Sequence, residues 1–411
     1  MNPTRLPPVA RPAVSGARGA RRGVSARIDA MVRISTVFLA IVLSAPLALA
    51  QRHSLTAISP DAPEGRMLQQ IQQELDTATQ LSLLEQFAAQ YPKNENIAWV
   101  YDQLIAAYAK AGQSDKVLET GQKLLAIDAG DVATAQQCLK AAEAKKDPEL
   151  VLKWSVTASD AARKVLKSPQ PAAEDEVEAW KRDVDYARQV DIYTDYSLYA
   201  ALLQSTDPKV RIELGEALQT RSPQSEYVPK LSQPLFLAYM QAGQSDKGIA
   251  FAEKCIGANQ ASEEMMLAVA QSYMDKKLAD KAIAASEQAI QSADAKQKPE
   301  GVADADWQTW KTQIKGRASW IAGVSYAAQS KWAVADKSLR AALPSVQGDK
   351  NMLAEALFFL GLANYRIAES GQTERAGDAL RFSEQCAGIP GPYQVPARTN
   401  VRAIRAKYRQ Q

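Results

Sequence analysis

The sequence predicts an all-α chain: a right-handed superhelical solenoid of antiparallel helix pairs, preceded by an N-terminal signal segment. Three observations carry that expectation. First, Ala111-Gly112-Gln113-Ser114-Asp115-Lys116 reappears letter for letter as Ala242-Gly243-Gln244-Ser245-Asp246-Lys247. Each copy follows a tyrosine-bearing helical stretch and precedes another, and the copies lie 131 residues apart, close to four units of the roughly 33–34-residue period of helix-turn-helix repeats. Second, stepping 34 residues from Tyr239 lands on Tyr273, with the same spacing from tyrosine to the Asp-Lys pair. The same step from Tyr108 lands on Ala142, where the turn is kept and the aromatic ring is lost, a degenerate copy. Third, about 360 residues follow the leader with no Gly/Ser-rich linker. That is long for one core, whereas a solenoid has no such limit because each unit touches only its neighbours.

Taken in order, residues 1–50 read as leader and 51–60 as a flexible connection. Repeats follow over 61–94, 98–131 and 132–165, the N-terminal block 61–166. Lys167-Ser168-Pro169-Gln170-Pro171, running into Glu174-Asp175-Glu176, breaks helix. A long helix from about Val177 to Gln204 then pairs with Asp207 to Thr220, an irregular unit over 167–228. Repeats resume at 229–262 and 263–292. An insertion over 293–315, with Pro299, Gly301 and a helix bearing Trp307 and Trp310, precedes repeats at 316–349 and 350–388. Gly388-Ile389-Pro390-Gly391-Pro392 stops the array. Residues 389–411 supply a capping helix, with Val401, Ile404 and Tyr408 on one face and Arg398, Arg402, Arg405 and Arg409 on the other. Small residues (Gly323, Gly361, Ala282, Ala335, Ala342) let helix backbones approach, and aromatic rings fill the space opened. Gly112, Gly243 and Asp147-Pro148 end one helix and start the next, and Ser114-Asp115 and Ser245-Asp246 are expected to supply N-cap oxygens.

Trp320-Ile321-Ala322-Gly323-Val324-Ser325-Tyr326, followed by Ala335, Leu339, Ala342 and Pro344, resembles the tetratricopeptide repeat (TPR). That pattern has a tryptophan, a Leu-Gly pair and a tyrosine on the first helix, then alanines and a proline on the second. Tyr101 to Tyr108 and Leu360-Gly361-Leu362-Ala363-Asn364-Tyr365 are weaker matches in register. The resemblance implies a protein or extended-peptide partner held on the concave face built from the first helices. By register Trp99, Asp102, Lys110, Gln233, Gln241, Leu267, Gln271 and Asp275 point there. They lack the clustered Lys, Asn and Arg that clamp a peptide C-terminal carboxylate, which sets that specificity aside.

The first fifty residues hold seven arginines, no lysine and one acid, Asp29. From Met31 one basic residue, an apolar run Ile34 to Leu43 and Ser44-Ala45-Pro46-Leu47-Ala48-Leu49-Ala50 form the layout of a secretory signal, with cleavage expected after Ala50. A retained anchor is the alternative, since Ile34 to Ala50 is a 17-residue run at the short edge of what spans a bilayer. Gln51 stands where a lipoprotein would carry cysteine. Of 49 basic and 46 acidic residues, 42 and 45 lie beyond the leader. The folded part is slightly acidic, so the charge gives no argument for nucleic acid, which calls for a basic stripe on the folded domain.

Cys138, Cys255 and Cys386 are too few and too far apart for a disulfide framework. They read as small buried apolar residues, with one disulfide left open. His53 is the only histidine, which leaves almost no room for triad or histidine-based zinc chemistry, and no phosphate-cradling loop is present. Tyr193, Tyr196 and Tyr199 form a ladder at helical spacing, either a packing stripe or the wall of a peptide groove. The expected molecule is therefore an exported, non-catalytic scaffold for protein or peptide partners. Its candidate contacts are Trp99, Asp102, Lys110, Tyr193, Tyr196, Gln233, Gln241, Gln271 and Asp275. No cofactor, metal or nucleic acid is expected, and a membrane only if the leader is uncleaved. A membrane-tethered accessory factor of cell-envelope or outer-membrane assembly is the alternative.

Overall fold

The computed structural model describes residues 52–56, 58–59 and 61–408; the expected leader and its cleavage site lie outside them. Among the described residues the chain is helical, with no strand. The helices are α1 (Pro63–Gln73), α2 (Thr77–Gln90), α3 (Ile97–Lys110), α4 (Ser114–Ile127), α5 (Val132–Lys145), α6 (Pro148–Leu166), α7 (Glu174–Gln204), α8 (Pro208–Arg221) and α9 (Ser232–Gln241). They continue as α10 (Ser245–Gly257), α11 (Glu263–Asp275), α12 (Ala279–Ala295), α13 (Asp304–Ala328), α14 (Trp332–Val346), α15 (Lys350–Glu369), α16 (Ala376–Ala387) and α17 (Gln394–Tyr408). None is long and apolar enough to cross a membrane.

The helices pair in chain order. Each helix packs on the next, and the odd-numbered helices also touch one another in series, α3 to α5 to α7 and α11 through α13 and α15 to α17. The reason is visible in α3, which buries Ile97, Val100, Tyr101, Leu104, Ile105 and Tyr108. That spacing gives one broad apolar stripe, wide enough to pack on two neighbours. The core is accordingly a chain of apolar clusters strung along the sequence, from Leu68–Ala141 through Cys138–Tyr239 to Phe236–Ala397.

The repeated hexamer is a helix-ending turn. Gly112 and Gly243 sit at φ 67° and 74°, and the amides of Gln113 and Gln244 each return 2.9 Å to the carbonyl five residues earlier, on Tyr108 and Tyr239. This is the Schellman closure, which calls for a left-handed residue. Lys277 (φ 60°), aligned with the glycines, makes the same turn, with Leu278 N–H 2.8 Å from the Tyr273 carbonyl. The degenerate copy keeps it at Lys146 (φ 55°), and Ser330 (φ 61°) repeats it after Tyr326. The backbone conformation recurs even where glycine does not.

The expected capping by Ser114-Asp115 and Ser245-Asp246 is corrected. The N-cap positions are Gln113 and Gln244, and neither makes a side-chain cap. Asp115 and Asp246 lie inside the first turn, where they favour the positive end of the helix dipole. Side-chain caps do occur at Asp131, Asp147 and Asp207.

Two further readings change. α13 runs unbroken from Asp304 to Ala328, so the tryptophan-bearing helix of the insertion and the first helix of the following repeat are one element. The stretch over residues 53–59, expected to be flexible, is held. Leu55 and Ile58 pack against the N-terminal apolar cluster. Thr56 donates through its amide (2.8 Å) and hydroxyl (3.0 Å) to Asn96 Oδ1, and His53 Nδ1 lies 2.7 Å from Asp102 Oδ2. The thiols of Cys138, Cys255 and Cys386 are free and buried.

Candidate partner-binding groove

A groove of about 760 Å³ opens where the α5–α6 turn meets the α7–α8 turn. One wall is α7, presenting Tyr193, Tyr196, Ser197, Ala200 and Gln204. Their spacing places them on one helical face. The opposite wall is the end of α5 and the start of α6, with Glu143, Lys146, Asp147, Pro148 and Glu149, and Asp207 and Val210 close one end.

Hydrogen bonds set this geometry. Glu143 accepts from Tyr193 Oη at 2.6 Å and Ser197 Oγ at 2.5 Å, tying α5 to α7. Burial, and after it the Glu143 carboxylate, raises the Tyr193 phenol well above its ordinary range, so Tyr193 acts as a fixed donor. Asp147 caps α6 by accepting from the amides of Glu149 and Leu150, and Asp207 caps α8 through the Lys209 amide. Left-handed Lys146 makes the turn tight enough to bring the α6 start against α7. Four carboxylates, Glu143, Asp147, Glu149 and Asp207, thus line the groove against one cation, Lys146.

Above the groove the tyrosine ladder splits by role. Tyr193 is half-buried, Tyr199 stacks on Tyr227 with centroids 5.3 Å apart, and Tyr196 contacts both Tyr193 (6.1 Å) and Tyr227 (6.0 Å). Tyr196 is nevertheless 48% exposed, and Ile192 (58%) and Leu203 (44%) continue an uncovered apolar stripe along α7. The ladder is therefore not uniform along α7. Tyr193 and Tyr199 pack, and Tyr196 is presented.

The other expected contacts do not converge here. Asp102 is tied to His53, and Trp99 is half-buried against the N-terminal apolar cluster. Burial, more than any neighbour, raises the Asp102 carboxyl, against the opposing pull of His53. Leu267 is 7% exposed and belongs to the core rather than to a concave surface. Gln233 accepts from Ser262 Oγ at 2.5 Å, and Gln271 donates to Asp275 3.1 Å away on the same helix. Lys110 and Gln241 are exposed at the ends of α3 and α9. Sequence reasoning missed Glu143 and Asp147, although the degenerate turn Ala144-Lys145-Lys146-Asp147-Pro148 was the available signal.

A second recurrent contact explains the motif tyrosines. Tyr108 Oη donates to Glu85 and Tyr239 Oη to Glu216, each at 2.7 Å and each 23 residues back on the preceding even-numbered helix. Tyr326 Oη donates to Glu287 at 2.6 Å. The repeats are latched to one another by phenol–carboxylate bonds.

No family model matches the sequence, and no curated protein matches it. Among solved structures the chain is similar to the TPR domain of P58(IPK), at 14% identity and a TM-score of 0.27, over 85% of this chain and 99% of that one. It is also similar to yeast Tom70, at 11% identity and a TM-score of 0.21, over 85% of this chain and 97% of that one.

Proposed function

We propose that this protein is a non-catalytic helical-repeat scaffold that holds an extended peptide segment of a partner protein in the groove between the α5–α6 and α7–α8 turns. The observation that carries the reading is an exposed tyrosine and its apolar stripe beside a row of carboxylates on a rigid pair of turns. Exposed tyrosine is a frequent anchor of interfaces because it brings a large, stiff contact area and a polar tip. The charge selects a partner segment that interleaves Lys or Arg with apolar residues. α7 itself strengthens that choice, with eight acidic and three basic residues.

The non-catalytic reading is supported by how the reactive groups are spent. Glu143, Asp147 and Asp207 are engaged with hydroxyls and backbone amides that build the turns. Burial pushes the Cys138 and Cys386 thiols up to about 12, away from the thiolate that nucleophilic chemistry needs. We also propose export, on the signal-like sequence from Met31 to Ala50; N-terminal sequencing of the protein from the producing cell should begin at Gln51, and an intact leader would replace the free form with the tethered one.

The groove is tested with an array of short peptides varying in charge and apolar content, followed by fluorescence anisotropy on the best binders. Basic-apolar peptides are expected to bind best and to weaken with salt, and Tyr196→Ala and Glu149→Lys should each lower affinity about tenfold, near 1.4 kcal/mol. Equal binding to the wild type and both variants, or a preference for acidic peptides, refutes the assignment.

A further inference from the structure

The segment after the leader is fastened to the array by a convergence of ligand-type atoms that the groove does not use. His53 Nδ1 lies 2.7 Å from Asp102 Oδ2 on α3 and 4.0 Å from Asp131 Oδ2 at the start of α5. The three ligand atoms fall within 4.8 Å of one another. On the far side of the ring, Nε2 faces Asp128 Oδ2 at 3.5 Å. The side chains of His53, Asp102 and Asp131 are 15%, 20% and 3% exposed, so the cluster is largely withdrawn from water.

We propose that His53, Asp102 and Asp131 bind a divalent first-row transition ion, Zn²⁺ by the nature of the donors, which pins the N-terminal segment to α3 and to the α4–α5 turn.

The distances suit an ion after small adjustments. Zinc bonds to nitrogen and carboxylate oxygen at about 2.0–2.2 Å, which puts tetrahedral ligand pairs about 3.4 Å apart. Around such an ion the Nδ1–Asp102 pair opens by about 0.7 Å and the Nδ1–Asp131 pair closes by about 0.6 Å, movements within the reach of side-chain torsions. The neutral imidazole binds as its Nε2–H tautomer, with the Nδ1 lone pair on the metal; a proton resting on Nδ1 moves to Nε2 through solvent, or leaves to solvent where both nitrogens were protonated, and water completes the coordination. An imidazole nitrogen among the donors favours zinc and its neighbours over calcium or magnesium.

The surroundings of the three ligands are what set this cluster apart from a simple ion pair. A metal-bound histidine characteristically donates its other ring N–H to a carboxylate, which fixes the ring and raises its basicity. Asp128 Oδ2 stands on that side of His53. Asp128 and Asp131 are themselves oriented, each keeping one oxygen on a backbone amide: Oδ1 of Asp128 on Gly130 N at 2.9 Å, and Oδ1 of Asp131 on Thr134 N at 3.0 Å. In both, it is Oδ2 that turns toward the imidazole. The cluster also joins parts distant in sequence, so an ion there would lock a terminal segment that otherwise rests on Leu55, Thr56 and Ile58.

The test is calorimetric titration of the metal-free full-length chain with ZnCl₂, with amide exchange of residues 53–59 read with and without zinc. One saturable site and slower exchange of that segment are expected. His53→Ala and Asp131→Asn should weaken binding more than about 100-fold, and Asp128→Asn about 10–100-fold, the usual effect of an outer-shell partner. Asparagine at 131 keeps an oxygen for the Thr134 amide, so far-UV circular dichroism should be unchanged and lost folding cannot mimic lost binding. The proposal is overturned if the wild type takes up no zinc, or if His53→Ala and Asp131→Asn bind it as the wild type does.

Discussion

Gly323→Ala and Gly377→Ala are the same substitution inside two helices of the same array, and they are expected to move stability in opposite directions. In an open helix position alanine gains roughly 0.5–1 kcal/mol over glycine because it has less backbone freedom to lose. A methyl at Gly377 meets nothing within 4 Å, so that gain should appear undiminished. At Gly323 the methyl would stand 2.6 Å from Leu339 Cγ, 2.8 Å from its Cδ2 and 3.1 Å from its backbone nitrogen. Leu339 is fully buried in α14 and has no room to swing aside, so α13 and α14 must separate by something near 1 Å. Overpacking of this kind costs about 1–3 kcal/mol, and against the propensity gain the net loss is about 1 kcal/mol. Because a solenoid opens locally, the assay is amide exchange by mass spectrometry, read over α13–α14 for one variant and α16 for the other. Protection should fall about fivefold in the first and rise in the second. Leu339→Ala in the Gly323→Ala background should cost about 1–2 kcal/mol less than in the wild type, the coupling expected of residues in contact. If Gly323→Ala raises the protection of α13–α14, or if the two substitutions are additive, the close-approach account of the small motif residues is wrong.

Tyr239→Phe should cost about 1 kcal/mol, and adding Glu216→Gln should cost little more, because the two side chains form one latch; a double-mutant cycle by urea unfolding checks it. Asp336→Ala should cost about 3–5 kcal/mol, since Asp336 is 8% exposed and receives Arg340 at 2.8 Å and the fully buried Asn364 amide at 2.6 Å. Asp336→Asn should recover part of that loss, and equal losses for the two would refute the network. At high pH, burial raises the phenols of Tyr326 and Tyr186 to about 12, aided by Glu287 for the first and Asp131 for the second. A raised folded-state value means that the neutral phenol is favoured by folding. That contribution is whole below pH 10, the ordinary tyrosine value, and is lost as pH rises toward about 12. Absorbance at the tyrosinate band should show late-titrating rings, and melting temperature should fall across the same window; full tyrosine ionisation near pH 10 in the folded protein would contradict it.

What was legible in the sequence is what the backbone repeats. The hexamer, and the step of 34 residues to Tyr273, located a turn whose left-handed residue and carbonyl closure recur at Gly112, Gly243 and Lys277, and even at Lys146, where every motif side chain had changed. Local conformation is fixed by steric rules acting within a few residues, so it leaves a local signature. The motif tyrosines were legible as packing residues, but their partners Glu85 and Glu216 were not, because the bond crosses from one repeat to the preceding even-numbered helix. The groove was half legible for the same reason. Tyr193 and Tyr196 announce themselves by helical spacing, whereas Glu143 becomes part of the same wall only when α5 and α7 are stacked 50 residues apart in sequence. The grouping around His53 was not legible either: Asp102 comes from the middle of α3, and Asp128 and Asp131 from the two ends of the α4–α5 turn, so the carboxylates meet the imidazole only in the fold. Counting a residue type excludes motifs built from that type alone, and mixed donor sets escape the count until the fold brings them together.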